Sequence, residues 1–265
     1  MTLHFSICIF TKILQYHIEM SISSLILCSC LLLKNDNSTT LYNNETLKGQ
    51  VVCIVNNGQW ENDSIVFSYN KENILTGYRV FNNGEADGYC EYKYKGKNRV
   101  DRYHYDNNGK VQAHCIIEYD DRKNITMIRE YGHIYPDTTR MTLLYLRCNS
   151  LDTENRIDSA FEYFCDGTPS YRYQYSYNND GTITQTRINA ATGKIFTITK
   201  TKEDKFGNTV NVSETLPQDS PEWHSTTIDY KYDNKGNWTT RKIAGYDPRT
   251  MNAVTNATRR IYYVE

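Results

Sequence analysis

From about residue 50 onward the chain is built of short segments in which every second position is aromatic or β-branched. Tyr173-Gln174-Tyr175-Ser176-Tyr177, Tyr230-Lys231-Tyr232 and Tyr103-His104-Tyr105 are the clearest. A period of two with such residues predicts half-buried β-strands. Lys93, His104, Glu118, Gln174, Ser176, Asp229 and Lys231 fall opposite the tyrosines, so the pattern predicts one aromatic face and one wet face. Many segments end in Asp or Asn followed by a glycine three residues later, the composition of a type I turn closing a four-residue hairpin loop.

Together these features form a repeat. Its template is Tyr232-Asp233-Asn234-Lys235-Gly236-Asn237-Trp238, matched by Tyr105 to Val111 and Tyr177 to Ile183. Looser copies begin at Tyr69, Tyr94 and Tyr119, and a degenerate one at Glu203. The step from Tyr69 to Tyr94, and again from Tyr94 to Tyr119, is 25 residues, with Tyr105 falling between. The expected fold is all-β, an antiparallel meander of repeated hairpins with on the order of a dozen or more short strands. A single layer cannot leave an aromatic face in water, so the meander must curl into a barrel, double over into a sandwich, or be covered by a partner. Gln50 to Gln59 reads as the opening strand of a repeat domain covering residues 50–265, and residues 34–49 as a polar tether without periodicity. Gly132 to Arg140 and Asn149 to Asn155 break the turn spacing, and Leu216 to Pro221 reads as a loop because proline cannot sit in a central strand. Long insertions of this kind are where binding loops occur.

The unit Tyr-Asp-x-x-Gly-x-apolar is similar to the YD or Rhs-type repeat. The stretch Tyr230 to Arg241 resembles the form found in small exported or lipoprotein-like proteins of Bacteroidetes-type bacteria. The resemblance covers roughly Ser64 to Ile243 and is strict in only a few copies. It implies a β-hairpin fold and says little about activity. Long Rhs proteins enclose a C-terminal toxin; this chain is short for such a shell and ends at Tyr262-Tyr263-Val264-Glu265.

Ahead of the repeats, Ser21 to Leu33 is a mostly apolar run, shorter than the ~20 residues that span a bilayer but suited to a secretory signal. Residues 1–33 are therefore expected to be a signal segment, with Met20 an alternative start. Leu27-Cys28-Ser29-Cys30 resembles a lipobox with Cys30 as the acylated residue; the apolar Leu31 to Leu33 after it leave a cleaved secreted protein as the alternative. Five cysteines lie beyond this segment, with no CxxC spacing. Cys90 and Cys115 occupy the same place in successive repeats with one strand between them, about 9.6 Å apart at two strand spacings. That exceeds the roughly 7 Å reach of a disulfide, so they are expected not to be bridged to each other. His114 and Cys115, as strand neighbours, point to opposite faces and would not share a metal.

Composition narrows the function without naming it. The formal net charge is −1 with 23% charged residues, so nothing draws the chain to nucleic acid. There are 23 Tyr against 8 Phe and 3 Trp. Rows of tyrosine on a sheet can stack on sugars or peptides, or they can form the core with hydroxyls at its edge. Trp238, Trp60, Tyr103 and Tyr105 are the candidate ligand-binding residues, the tryptophans because they lie beside turns. No phosphate loop, zinc motif or nucleophile elbow is present, and Glu118 and Asp229 sit in the regular outward slot before a tyrosine. The expectation is a non-catalytic exported protein, not an enzyme, without cofactor or metal. It would bind or scaffold at the bacterial envelope as a cell-surface lipoprotein or a periplasmic or secreted protein. A carbohydrate or an envelope protein would be its partner, with membrane contact only through a lipid anchor. A structural envelope protein and a carbohydrate-active hydrolase are the alternatives. The Asp-Ser/Thr triplets at Ser64, Thr138 and Ser159 resemble O-glycosylation sites of Bacteroidetes periplasmic proteins.

Overall fold

The computed structural model describes residues 39–42, 45–58, 63–134, 137–217, 220–245 and 254–264. Trp60, Cys30 and the signal segment lie outside them, as does the side chain of Thr138. All regular structure among the described residues is β. Strands β1 (Thr39–Tyr42) and β2 (Glu45–Lys48) pair as a small hairpin. The next eight are β3 (Val51–Gly58), β4 (Asp63–Tyr69), β5 (Leu75–Asn82), β6 (Glu85–Tyr94), β7 (Arg99–Tyr105), β8 (Val111–Tyr119), β9 (Ile125–Ile134) and β10 (Asp137–Leu151). The last eight are β11 (Ile157–Tyr163), β12 (Pro169–Tyr177), β13 (Thr182–Asn189), β14 (Ile195–Glu203), β15 (Thr209–Leu216), β16 (Ser220–Tyr232), β17 (Trp238–Gly245) and β18 (Val254–Tyr263). From β3 onward each strand pairs antiparallel with the next, and β18 pairs with β3 through Ile261↔Ile54 and Arg259↔Asn56. The meander is thus a closed barrel rather than a sandwich, and closure removes both free edges.

In an antiparallel meander alternate connections lie at the same end. One end carries the connections that begin at Asn70, Lys95, Asp120, Asp152, Asn178, Asp204 and Asp233; it is called the turn end here, and the opposite end the mouth. The turn chemistry repeats closely. Asp120 Oδ1 accepts from the backbone N–H of Arg122 and of Asn124, and Asp233 Oδ1 from Lys235 and Asn237. Asp152 does the same with Glu154 and Arg156, and the fourth turn residue, Asn155, is left-handed at φ 63°. Asn149 to Asn155 is therefore not the expected break: it contains a full repeat turn in which Leu151 replaces tyrosine and Asn155 replaces glycine. Two other expected interruptions are in part strand, although Leu216 to Pro221 does hold the connection between β15 and β16. β9 and β10 run to Ile134 and from Asp137, and Pro221 is the second residue of β16. Within the segment expected to be a tether without periodicity, Thr39–Tyr42 and Glu45–Lys48 are the strands of the β1–β2 hairpin.

At four of the turn-end connections the preceding tyrosine, Tyr69, Tyr94, Tyr177 or Tyr232, ties one hairpin to the previous one. Tyr69 OH donates to the Val51 carbonyl at 2.6 Å, Tyr94 OH to Leu75 at 2.9 Å and Tyr177 OH to Ile157 at 3.1 Å. Tyr232 OH donates to Asp204 and Tyr263 OH to Asp233, each the turn aspartate of a neighbouring repeat. The hairpin β1–β2 closes this end: Leu47 is fully buried in the core, and the Lys48 backbone donates to Asn237 Oδ1 and accepts from its Nδ2, both at 2.7 Å.

Register and burial assign the two faces. Ile54, Ile65, Phe67, Tyr78, Cys90, Tyr92, Val100, Cys115, Ile117 and Ile128 are buried and face inward. Arg79, Lys93, Arg172, Lys200, Lys202, Asp229, Lys231, Lys242 and Arg260 are exposed on the outer face. The wet face expected from Lys93, Glu118, Gln174, Ser176, Asp229 and Lys231 is therefore the outer wall. His104 departs from it. The turn that follows Tyr105 closes at the mouth rather than the turn end, so parity in β7 is inverted: His104 faces inward opposite Cys90, while Tyr103 and Tyr105 face out. Cys53, Cys90, Cys115, Cys148 and Cys165 are all free thiols, and His114 and Cys115 point to opposite faces.

Candidate functional site: a lumen that is polar toward the mouth

Along the barrel axis the inner face changes character. Near the turn end it is apolar and aromatic, with Ile54, Phe67, Ile117, Ile157, Tyr175 and Trp238 all buried. Nearer the mouth the inner positions become Arg102, Glu130, Arg147, Glu162, Arg187, Glu214, Arg241 and Arg259, one on each of eight strands. The barrel is thus filled at one end and polar inside at the other.

The densest part lies on β10 to β13. Glu162 accepts from Tyr173 OH at 2.7 Å and Tyr145 OH at 3.0 Å, and faces Arg147 at 3.6 Å and Arg187 at 3.9 Å. Arg147 also donates to Asn149 Oδ1 at 2.9 Å and to Tyr175 OH at 2.5 Å, and Gln185 donates to the same hydroxyl at 2.8 Å. Arg187 stacks 3.6 Å from the ring centroid of Tyr171, with Phe196 at 5.2 Å. Glu162 and Arg147 are paired and hydrogen-bonded, which is the condition for holding them away from water, whereas Arg187 is held mainly by its aromatic neighbours and its Nε has no hydrogen-bond partner. Further round, Gln185, Glu214, Thr226, Ile228, Tyr230 and Arg241 are only half-buried although they face inward, so this side of the lumen keeps solvent-sized space. Burial raises the Glu214 carboxyl, with Thr199 and nearby cations opposing. Phe164, Phe196 and Trp223 are exposed near the mouth.

On the other wall, burial and the neighbouring Arg102 cation push the His104 imidazole down to about 4. Its folded pKa lies below the ordinary ~6.5, so its contribution is complete above pH 6.5 and is lost as pH falls toward 4. Urea midpoints measured in steps from pH 7 to 4 should fall in that window, and His104→Gln should remove that part of the fall. An identical fall in the variant would contradict the placement. Glu214 acts with the opposite sign, which is why the difference between the two proteins is the quantity to read.

The sequence-predicted ligand residues do not meet in one place. Trp238 is 4% exposed, under the Arg259 guanidinium at 3.3 Å, and belongs to the core instead of a surface: the chain after the Asp233 turn enters β17 with its first side chain inward. Tyr103 and Tyr105 lie on the outer wall. There Tyr105 stacks on Tyr89 at 4.5 Å, Tyr103 on His114 at 4.2 Å, and His114 on Tyr131 at 5.7 Å. Asp101 lies beneath this strip, buried and paired with Arg99 at 2.6 Å. The lumen residues on β11 to β15 were not singled out from sequence. Among the described residues no group of three His, Cys, Asp or Glu is placed to hold a metal.

No family model matches the chain, and no curated protein matches it. Among solved structures it is similar to a porin-like protein from Bacteroides uniformis, at 13% identity and a TM-score of 0.52, over 80% of this chain and 98% of that one. A porin-like protein from Bacteroides vulgatus aligns at 9% identity and a TM-score of 0.38, over 81% and 98% of the two chains. TcdB2-TccC3 without its hypervariable C-terminal region aligns at 12% identity and 0.18, over 74% of this chain and 14% of that one. What this chain shares with the first of these is its fold, a closed antiparallel barrel.

Proposed function

We propose that the chain is an exported, non-catalytic barrel of the bacterial envelope that holds a saccharide in the polar half of its lumen. One observation carries the reading: the inner wall of β12 to β14 sets tyrosine rings beside amide, hydroxyl and guanidinium groups (Tyr171, Tyr173, Gln185, Arg187, Thr197 and Thr199). Aromatic faces flanked by polar groups suit sugar rings, which present apolar C–H faces and a polar edge. An envelope location is supported by the apolar Ser21–Leu33 run and by the porin-like description of the B. uniformis structure. The outer wall argues against a barrel embedded in lipid. A membrane-spanning barrel presents an outward apolar band ~25 Å tall, whereas here Lys93, Lys200, Asp229 and Lys242 stand outward within their strands. Attachment through a lipid on Cys30 fits both features.

A glycan array probed with the full chain should give hits. Tyr171→Ala should weaken them about tenfold, the loss of roughly one stacked ring at 1.4 kcal/mol per decade, and Tyr105→Phe should leave them unchanged. A second reading rests on the Tyr89–Tyr105–Tyr103–His114–Tyr131 strip, which would serve an envelope protein partner. Silence on the array, with capture of one fixed envelope protein that Tyr103→Ala abolishes and Tyr171→Ala leaves untouched, would favour that reading.

A further inference from the structure

Three strands round the barrel from β10, where the Glu162 network begins, the inner wall holds another cation. Arg102 projects inward from β7, between Tyr92 on β6 and Cys115 on β8. Its electrostatic neighbours are Cys115, Tyr92, Tyr78 and Cys90. Both thiols are held neutral by burial, Cys90 pushed up to about 12 and Cys115 to about 11, so neither supplies a compensating charge. Among the described residues no carboxylate lies within ion-pair distance of Arg102; Arg99 and Asp101 pair with each other on the other face. Its Nε is enclosed and has no hydrogen-bond partner. The nearest inward acid by register is Glu130, beyond the intervening β8, about 9.6 Å away at two strand spacings. Arg147 and Arg187, by contrast, share Glu162.

Toward the mouth the side chains around Arg102 shrink. Cys90 and then Gly88 are the next inward positions on β6, and Ala113 is the next on β8, with His104 between Cys90 and Ala113 and Leu144 lying over Gly132 as an apolar wall. Arg102 is half-buried with its Nε enclosed and unsatisfied, so an anion that reaches the guanidinium supplies the partner it lacks. We infer that Arg102 is an anion subsite of the lumen, accepting the carboxylate of an acidic saccharide, with His104 as a neutral hydrogen-bonding neighbour. A planar guanidinium fork matches a carboxylate in two parallel hydrogen bonds. The inference deepens the lumen-binding reading and rests on it.

The test is calorimetric titration of the full chain with oligogalacturonate and with the uncharged galactose oligomer of equal length. The wild type should prefer the acidic ligand by about 10- to 100-fold, the range of a hydrogen bond to a charged group. Arg102→Met should lose that preference while keeping its affinity for the neutral ligand, and Arg102→Lys should keep part of it. Circular dichroism and melting of each variant verify the fold. Equal affinity for the two ligands in the wild type, or a preference surviving in Arg102→Met, overturns the subsite and leaves the lumen reading standing. No binding of either ligand overturns both.

Discussion

Glu162→Ala is expected to lower stability by about 3–5 kcal/mol, the cost of breaking a buried ion pair from one side. The carboxylate and its partner Arg147 are 7% and 3% exposed. Removing Glu162 leaves the Tyr145 and Tyr173 hydroxyls without their acceptor and Arg147 without its nearest anion. Arg147 keeps Asn149 and Tyr175, neither of which carries charge. Glu162→Gln retains shape and an acceptor oxygen, so it should cost distinctly less. Urea unfolding with an unchanged m-value is the appropriate measurement. A loss below about 1 kcal/mol for the alanine variant would mean that Arg147 reaches water and that the lumen is wetter than its burial indicates.

Trp238→Ala is the second large effect, about 3–5 kcal/mol for truncating a buried aromatic. The ring centroid is 3.3 Å from the Arg259 guanidinium, 5.0 Å from that of Arg241 and 6.2 Å from the Tyr230 ring. The loss would combine the cavity with the desolvated cation–π contacts. Trp238→Phe keeps part of both and should fold, and a folded Phe variant should bind saccharide as the wild type does. A stable Trp238→Ala protein that had lost only ligand binding would place this side chain at a surface.

The barrel was legible as far as its information is local. Tyrosine alternation marks strands, and Asp or Asn with a later Gly marks turns, because the physics of both is contained within a few residues. The Asp152 turn escaped the tyrosine-and-glycine template because its determinants are the aspartate acceptor and a left-handed Asn155. Inward and outward faces were right wherever the tyrosine precedes a turn-end connection. They were inverted at His104, since a seven-residue turn motif does not say which end of the barrel it closes. Trp238 was misplaced for a related reason: lying next to a turn says nothing about which way the first strand residue points. The lumen network was beyond local reading altogether. Glu162 sits between Phe161 and Tyr163, and Arg187 between Thr186 and Ile188, in segments that are otherwise ordinary strand. Only the register of β10 to β13 brings Arg147, Glu162, Tyr173 and Arg187 together.

On the proposed reading, ligand enters from the mouth of a barrel whose outer wall is polar and rests on the inner wall of β12 to β14. A crystal structure of the detergent-free protein soaked with the best saccharide from the array tests it most directly. The account predicts a sugar inside the barrel, in contact with Tyr171, Gln185 and Arg187. A sugar stacked instead on Tyr103 and Tyr105 outside an occluded lumen would contradict it.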